Sequence, residues 1–248
     1  MEILLIACVH GDPRGRKKLF ELLAKEKPTH VFIELSPWGL FFRKRYSRFL
    51  LSTLKKNLHH ASGILKISYQ NTLKHPSIQS IIVKFLLPYE YRAACEYASL
   101  YGATVCLLDS TLFSIEHTSK WWELIDTKNL TYLLQQNHPS LSRQVTFEYI
   151  MASQACCQSP KFRGDKAIPS LPENKADLRR EKWLLEQLKL HVGIYNPRKC
   201  AYVGGWRHFV PSSPVIESVV RTRNIKSQIV ILSDPPEYIP PVVGSHST

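Results

Sequence analysis

ILLIACV at residues 3–9, followed directly by the turn sequence HGDP at residues 10–13, is the stretch that decides the predicted fold. A continuous apolar run that ends in a turn is typical of a strand buried on both faces of a parallel sheet. Residues 14–25 then show the apolar spacing of an amphipathic helix, which Pro28 ends. The chain therefore opens with a buried strand followed by a helix.

The same strand pattern recurs four times along the chain. The further runs are HVFIEL at 30–35, ATVCLL at 103–108, KCAYV at 199–203 and IVIL at 229–232. Helical patterns between them cover residues 38–58, 78–87, 89–101 and 176–191. Because strands joined by such long crossovers run parallel, the sequence predicts an α/β fold with a central, mostly parallel sheet flanked by helices.

The length of 248 residues and the hydrophobic content of 44% favour a single α/β domain over residues 1–235. A helical insertion over about 38–90 and a helical middle over about 112–158 interrupt the alternation of strands and helices. The proline-rich residues 159–175 predict a loop or lid. Residues 236–248 predict a Pro-rich flexible tail.

The sequence predicts a reduced, cytoplasmic protein. No apolar run approaches the roughly 18 residues that a membrane span needs. The first apolar run is too short for a signal peptide, and Glu2 stands where basic residues are expected. The six cysteines include no CxxC pair and do not suggest a disulfide framework.

The net charge of +13 is unevenly distributed. Residues 35–89 contain nine basic residues and no acidic one, so the segment Arg43–Lys84 favours an anionic partner such as nucleic acid or an acidic membrane surface. An ordinary solvated basic surface explains the same charges. For the helix over 38–58, packing on the sheet is favoured over an interfacial position on a membrane. The sequence leaves open whether the protein forms a homo-oligomer.

Residues with functional side chains follow four of the predicted strands. They are His10, Glu34, Asp109 and the segment Gly204-Gly205-Trp206-Arg207-His208. Sites in parallel sheets form at the carboxyl ends of the strands. Two histidines and a carboxylate there predict a set of ligands for a divalent metal, which polarises a carbonyl and activates water. Glu34 is alternatively a general base.

Arg180 and Glu181, at the start of the helix over 176–191, are expected to reach the same edge of the sheet. Arg180 would then stabilise an oxyanion or bind a carboxylate of the substrate. Each residue also has an ordinary structural explanation. Histidines at strand ends are often satisfied polar groups, and Glu34 suits an ion pair with an arginine. Asp109 suits a helix cap, and Gly204-Gly205 suits a tight turn.

Five short motifs lie in order between Ile3 and about Val210. They are ACVH at 7–10, VFIEL at 31–35, the helix and strand segment at 91–109, Arg180-Glu181 followed by Trp183-Leu184, and GWRH at 205–208. Together they resemble the motifs of the TraB/PrgY-like family, whose superfamily contains the Tiki proteases and is similar to the erythromycin esterases. Ala7 and Ser110 depart from the family pattern, which has Gly and often Arg there.

The resemblance implies a shared site of His10, Glu34, Arg180 and His208, with Glu181 beside them. Glu181 and the strand-end glycines Gly204 and Gly205 are the candidate cofactor-binding residues. It also implies a divalent metal (Mn, Co or Zn) and hydrolysis of a peptide, ester or amide bond in an unknown peptide or small-molecule substrate. The alternative function is a non-catalytic, basic binding module for nucleic acid or another anionic partner.

Overall fold

The computed structural model describes residues 1–157, 175–211, 213, 214, 216, 218 and 225–239. The strands in these ranges are β1 (Glu2–Cys8), β2 (His30–Ile33), β3 (Thr104–Leu107), β4 (Lys199–Gly205), β5 (Lys226–Ile231) and β6 (Glu237–Ile239). They form one sheet in the order β3-β2-β4-β1-β5-β6. All pairs are parallel except β5 with β6. The predicted α/β fold with a mostly parallel sheet is confirmed.

Helices occupy the crossovers that join β1 to β2, β2 to β3 and β3 to β4. In the described ranges they are α1 (Gly15–Glu26), α2 (Pro37–Leu65), α3 (Tyr69–Lys74), α4 (Pro76–Phe85), α5 (Tyr89–Tyr101), α6 (Thr111–Ser119), α7 (Trp121–Leu124), α8 (Thr127–Leu134), α9 (Leu141–Cys157) and α10 (Lys175–Tyr195). A 3-10 helix follows β4 at Trp206–Phe209. None of these helices combines the length and the apolar character needed to cross a bilayer.

The centre of the sheet is fully covered. Every side chain from Ile3 to Cys8 in β1 is buried, and β4 is buried from Cys200 to its end. Burying one Val, Leu or Ile contributes roughly 1.5–3 kcal/mol, so these continuous apolar runs fix β1 and β4 in the middle of the sheet.

Helix α2 begins as predicted, because Oγ of Ser36 accepts a 2.8 Å hydrogen bond from the N–H of Gly39 and Pro37 occupies the first turn. It continues beyond the predicted end at Leu58 to Leu65. The helix ends where Lys66 adopts a left-handed conformation with φ of 53°.

The helices inserted after β2 and those that follow β3 build a hydrophobic core of their own. This second core is distinct from the core around the sheet and joins α2, α4, α7 and α8. Trp121 lies at its centre, with ring centroids 5.6 Å from Phe42 and 5.2 Å from Phe85. The second core holds α2 and α4 together with α7 and α8, the helices that follow β2 and β3.

Two predicted segments, the tail and the loop, are not described in full by the structure, and the tail also differs from the prediction. The predicted tail over 236–248 is wrong in its first part, because Glu237–Ile239 form β6. Ile239 pairs with Ile229 and is buried, so β6 covers the otherwise open edge of β5. Residues 240–248 and the predicted loop over 159–174 lie outside the described ranges, and Lys175 already begins α10.

The order of the strands sets the order of the residues that follow them. Asp109 after β3, Glu34 after β2, Gly205 at the end of β4 and His10 after β1 come from four neighbouring strands. Cys8 of β1 lies in register with Gly205. The four strand ends therefore deliver their polar groups side by side to one edge of the sheet.

Candidate functional site

Glu34 occupies the centre of this edge, with only 5% of its side chain exposed. Its Oε2 accepts a 2.7 Å hydrogen bond from the N–H of Gly205. Its Oε1 lies 2.9 Å from Nε2 of His208 and also contacts Nη2 of Arg180. A carboxylate with these three partners is fixed in position before any ligand arrives.

His10 stands at the solvent-facing side of the cluster, with 58% of its side chain exposed. Its Nδ1 lies 2.7 Å from Oε1 of the buried Glu90, so a proton on Nδ1 is donated to that carboxylate. Its Nε2 faces Oε2 of Glu34 at 3.7 Å, which is longer than a hydrogen bond. Glu90 therefore orients the ring so that Nε2 points into the site.

His208 repeats this arrangement from the 3-10 helix after β4. Its Nδ1 forms an ion pair with Oε1 of Glu181, and its Nε2 faces Glu34. The side chains of His208 and Glu181 are almost completely buried. Both imidazoles thus have an outer carboxylate at Nδ1 and Glu34 at Nε2.

Arg180 joins two of the carboxylates. Its Nε and Nη2 donate hydrogen bonds of 3.0 Å and 2.8 Å to the two oxygens of Asp109, while Nη2 also contacts Glu34. The guanidinium stacks on Phe113, with 4.6 Å between its carbon and the ring centroid. Nη1 makes no hydrogen bond with any residue that the structure describes.

Gly204 and Gly205 end β4 rather than forming the tight turn that their sequence suggested. A Cβ on Gly205 would lie 2.9 Å from Nε2 of His10, and one on Gly204 would lie 3.0 Å from Oε2 of Glu34. These two positions are therefore glycine because the site approaches the backbone too closely for a side chain.

The pKa values of the central groups follow from this packing. Burial disfavours the charged form of Glu34, but His208 and Arg180 outweigh it and hold the pKa of that carboxyl well below its usual range. Burial likewise opposes an imidazolium at His208, yet Glu34 and Glu181 raise its pKa to about 9. At His10, desolvation is outweighed by Glu90 and Glu34, and the pKa is also raised.

The net charge of the cluster is one test of whether these residues fit a metal ion. Four carboxylates meet one guanidinium here, so three negative charges stay uncompensated while both imidazoles are neutral. Two protons on the imidazoles supply two positive charges, and a divalent cation on the neutral rings supplies the same two. The donor types also suit Zn, Mn or Co. In the described ranges, however, no three such side chains already converge on one point as ligands.

All the residues predicted for the site come together. His10, Glu34, Arg180, Glu181 and His208 contact one another in a connected set, and Gly205 donates to it. One of the ordinary roles holds at the same time, because Glu34 pairs with Arg180. The expected helix cap at Asp109 is wrong: Oδ1 of Asp109 accepts a hydrogen bond from the N–H of Ser110, and it is Oγ of Ser110 that caps α6 by accepting from the N–H of Phe113.

Sequence reasoning missed two members of the site. Glu90 was overlooked, although it is the first acidic residue after the acid-free stretch and opens α5 behind Pro88. Tyr202 was taken only as part of a strand. Its buried hydroxyl has no hydrogen-bond partner among the described residues, and burial and Glu34 raise its pKa well above the usual value.

No family model, curated protein or solved structure matches the chain. The resemblance to TraB/PrgY-like proteins therefore stays a prediction that rests on the five motifs and on the site residues that they contain.

Proposed function

We propose that this protein is a metal-dependent hydrolase of the TraB/PrgY-like type that cleaves a peptide, ester or amide bond. His10, Glu34 and His208 would hold a divalent ion such as Mn, Co or Zn. One observation carries the proposal: each imidazole has Nδ1 on a buried carboxylate and Nε2 turned towards Glu34. Carboxylates at the far nitrogen of metal-binding histidines fix the tautomer and the ring orientation.

When bound, the ion would supply Lewis acidity and lower the pKa of a bound water. The chain's own residues do the positioning. Asp109 holds Nε and Nη2 of Arg180, which leaves Nη1 to bind an oxyanion or a carboxylate of the substrate. Arg180 and the N–H of Gly205 also fix the two oxygens of Glu34.

His10 gives the site its access to the surrounding solution, since it alone of the three candidate ligands is largely exposed. A substrate that enters from this side meets His10 first and the buried Glu34 behind it. The pairing of His10 with Glu90 also favours transfer of a proton at Nε2 when this nitrogen is not bound to the ion.

A cytoplasmic location belongs to the same proposal. Cys8, Cys95, Cys106 and Cys200 are free thiols, which suits a reducing compartment.

Metal binding is the direct test. Protein stripped with a chelator is titrated with Co²⁺, Mn²⁺ and Zn²⁺, and the visible bands of bound Co²⁺ and the metal content are recorded. We expect about one ion per chain, and losses of affinity of about 100-fold in His10→Ala and His208→Ala. His60→Ala is the matched control, because His60 is exposed on α2 far from the sheet edge in sequence. Unmeasurable binding by the wild type, or equal losses in His60→Ala, would contradict the proposal.

A second candidate function, binding of an anionic macromolecule, is favoured by the outer face of α2. Lys44, Arg45, Arg48, Lys55 and Lys56 are exposed there. None of the five forms an ion pair with a residue in the described ranges. Phe49 lies among them with 61% of its surface exposed, 5.7 Å from the ring of Trp122. Unpaired cations beside exposed rings suit the phosphates and bases of a nucleic acid.

A further inference from the structure

Three basic side chains from three helices, Arg43, Lys84 and His117, lie near one another beside the second core. Arg43 of α2 stacks on Trp121, with 4.9 Å from its guanidinium carbon to the ring centroid. The ring of His117 of α6 lies 6.1 Å from that same tryptophan and stacks on Phe113 at 6.3 Å. Arg180 also stacks on Phe113, and the charges of Lys84, Arg43 and Arg180 all act on His117.

Lys84 of α4 is the third basic side chain of this cluster. It precedes Phe85, whose ring lies 5.2 Å from Trp121. Burial and then the charge of Arg43 lower the pKa of Lys84. Burial, followed by the charges of Lys84 and Arg43, also lowers the pKa of His117.

The two cations Arg43 and Lys84 have no ion-pair partner within hydrogen-bonding distance in the part of the chain that the structure describes. Nη1 of Arg43 donates a 3.1 Å hydrogen bond to the carbonyl of Gly39, but its buried Nε has no hydrogen-bond partner among the described residues. Neither Arg43 nor Lys84 forms an ion pair within the same ranges. Burial lowers the pKa of Arg43 to about 10. Such a desolvated, unsatisfied guanidinium is costly unless a ligand supplies the missing acceptor.

The cluster lies directly beside the proposed metal site. Glu90 and Asp109, which hold His10 and Arg180, are the carboxylates whose charges act on Arg43. Val83, next to Lys84, packs so tightly against Gly11 that a Cβ there would lie 3.3 Å from its Cγ1. Gly11 in turn follows His10. A group bound by the cluster would therefore stand next to a bond held at His10 and Glu34.

We propose that Arg43, Lys84 and His117 form an anion-binding subsite that holds a carboxylate or phosphate group of the substrate beside the bond to be cleaved. The role in the substrate rests on the proposed hydrolase function, whereas the binding of an anion does not. Arg43 supplies Nε as a donor, Lys84 supplies charge at the solvent-facing rim, and His117 supplies a ring N–H.

Calorimetric titration with inorganic phosphate and with acetate, at constant ionic strength, tests the subsite. We expect saturable binding of one anion per chain. Tighter binding of phosphate assigns a phosphorylated substrate, and tighter binding of acetate assigns a carboxylate. An absence of saturable binding for both anions would overturn the proposal.

Two variants and two matched controls localise the binding. Arg43→Met keeps the packing on Trp121, and Lys84→Gln changes an exposed residue that the fold does not need. Each should weaken anion binding by about tenfold. Arg48→Met on the outer face of α2 and Lys74→Gln at the end of α3 should leave it unchanged. Equal weakening in the controls would show general charge attraction and overturn the subsite.

The proposed metal site and the proposed anion subsite can be tested independently of each other. His208→Ala should lose metal and keep anion binding, whereas Lys84→Gln should weaken anion binding and keep metal. If the wild type binds phosphate or acetate but no metal, the subsite stands and the proposed hydrolase fails. If the wild type binds metal but neither anion, the proposed hydrolase stands and the subsite fails.

Discussion

The backbone N–H of Gly205 donates a 2.7 Å hydrogen bond to Oε2 of Glu34, and the same closeness leaves no room for a side chain on the glycine. This contact joins the end of β4 to the residue that follows β2. It also places β4 against His10, because a Cβ on Gly205 would overlap Nε2 of that ring. The backbone is thus part of the candidate site.

The first prediction concerns Gly205→Ala. The new methyl group would lie 2.9 Å from Nε2 of His10 and 3.5 Å from Oε2 of Glu34, so the ring must move. We expect a loss of roughly 1–3 kcal/mol in unfolding free energy and weaker metal binding, measured by urea denaturation and Co²⁺ titration. Gly63→Ala is the control, because nothing lies within 4 Å of its Cβ, and it should not lower stability. If Gly205→Ala and Gly63→Ala changed the unfolding free energy and the metal affinity equally, the packing argument would be wrong.

The second prediction concerns the carboxylates behind the histidines. Glu90→Gln and Glu181→Gln should each weaken metal binding by about 10–100-fold, since the imidazoles lose the partners that orient Nε2. The readout is Co²⁺ affinity, with circular dichroism to verify folding. Glu96→Gln, on the same helix as Glu90 but paired with Arg16 on the surface, should bind metal like the wild type. Unchanged affinity in both Gln variants would mean that these carboxylates do not serve the metal.

The third prediction is a dependence of stability on pH in the metal-free protein. The folded-state pKa of His208 is raised to about 9, because Glu34 and Glu181 outweigh burial. The stability that this adds is complete below the ordinary value of about 6.5 and is lost as the pH rises through about 9. It amounts to at most about 3 kcal/mol.

Urea denaturation from pH 6 to pH 9.5, with a chelator present, measures this effect. The difference in stability between the wild type and His208→Gln should shrink as the pH rises, since the variant lacks the titrating ring. The exposed His60→Gln gives the matched control and should follow the wild type at every pH. A constant difference across the range would show that His208 does not change its protonation there.

The fourth prediction concerns Arg180→Met. The substitution leaves Asp109 and Glu34 buried without their shared guanidinium, and removing one partner of a buried ion pair costs roughly 3–5 kcal/mol. Arg179→Met, at an exposed neighbouring position, should change the unfolding free energy by no more than about 0.5 kcal/mol. Arg180→Lys keeps the charge but loses the two-point contact with Asp109, so we expect it to fall between them. We therefore expect the loss of unfolding free energy to be largest in Arg180→Met, smaller in Arg180→Lys and smallest in Arg179→Met. Any other order would indicate that Arg180 is not needed to hold the carboxylates.

The fifth prediction tests the outer face of α2. If it binds nucleic acid, the affinity for a labelled oligonucleotide should fall steeply as salt rises. Reversing Lys55 and Lys56 to Glu should abolish binding, whereas Lys128→Glu on α8 should not. Binding that does not depend on salt, or that survives reversal of both Lys55 and Lys56, would exclude the outer face of α2 as the binding surface. Flotation with anionic vesicles separates a membrane surface from nucleic acid.

The strands of the sheet were predictable because their residues are buried on both faces and the sequence is continuously apolar there. The strand ends then pointed to His10, Glu34 and His208, since parallel strands present their carboxyl ends at one edge. Arg180 and Glu181 do not follow a strand, and were placed by their position at the start of the helix over 176–191 and by the five motifs. No relative tests the family or the reaction that those motifs imply.

Other features depend on how helices dock, which local sequence does not encode. Glu90 looks like an ordinary acid in the first turn of α5, and only the packing of α5 brings it to His10. Arg43 reads as one cation in a basic run, but the structure turns it inward onto Trp121. The sequence around β6 is interrupted by prolines, so its pairing with β5 gave no clear local signal.

The place of β4 between β1 and β2 has a consequence for biosynthesis. The two earlier strands leave the ribosome long before β4, yet they do not pair with each other and meet only through it. A nascent chain that stops short of residue 205 can hold His10 and Glu34 but cannot bring them together. The candidate site is therefore incomplete until translation has supplied the strand that joins β1 to β2 in the sheet.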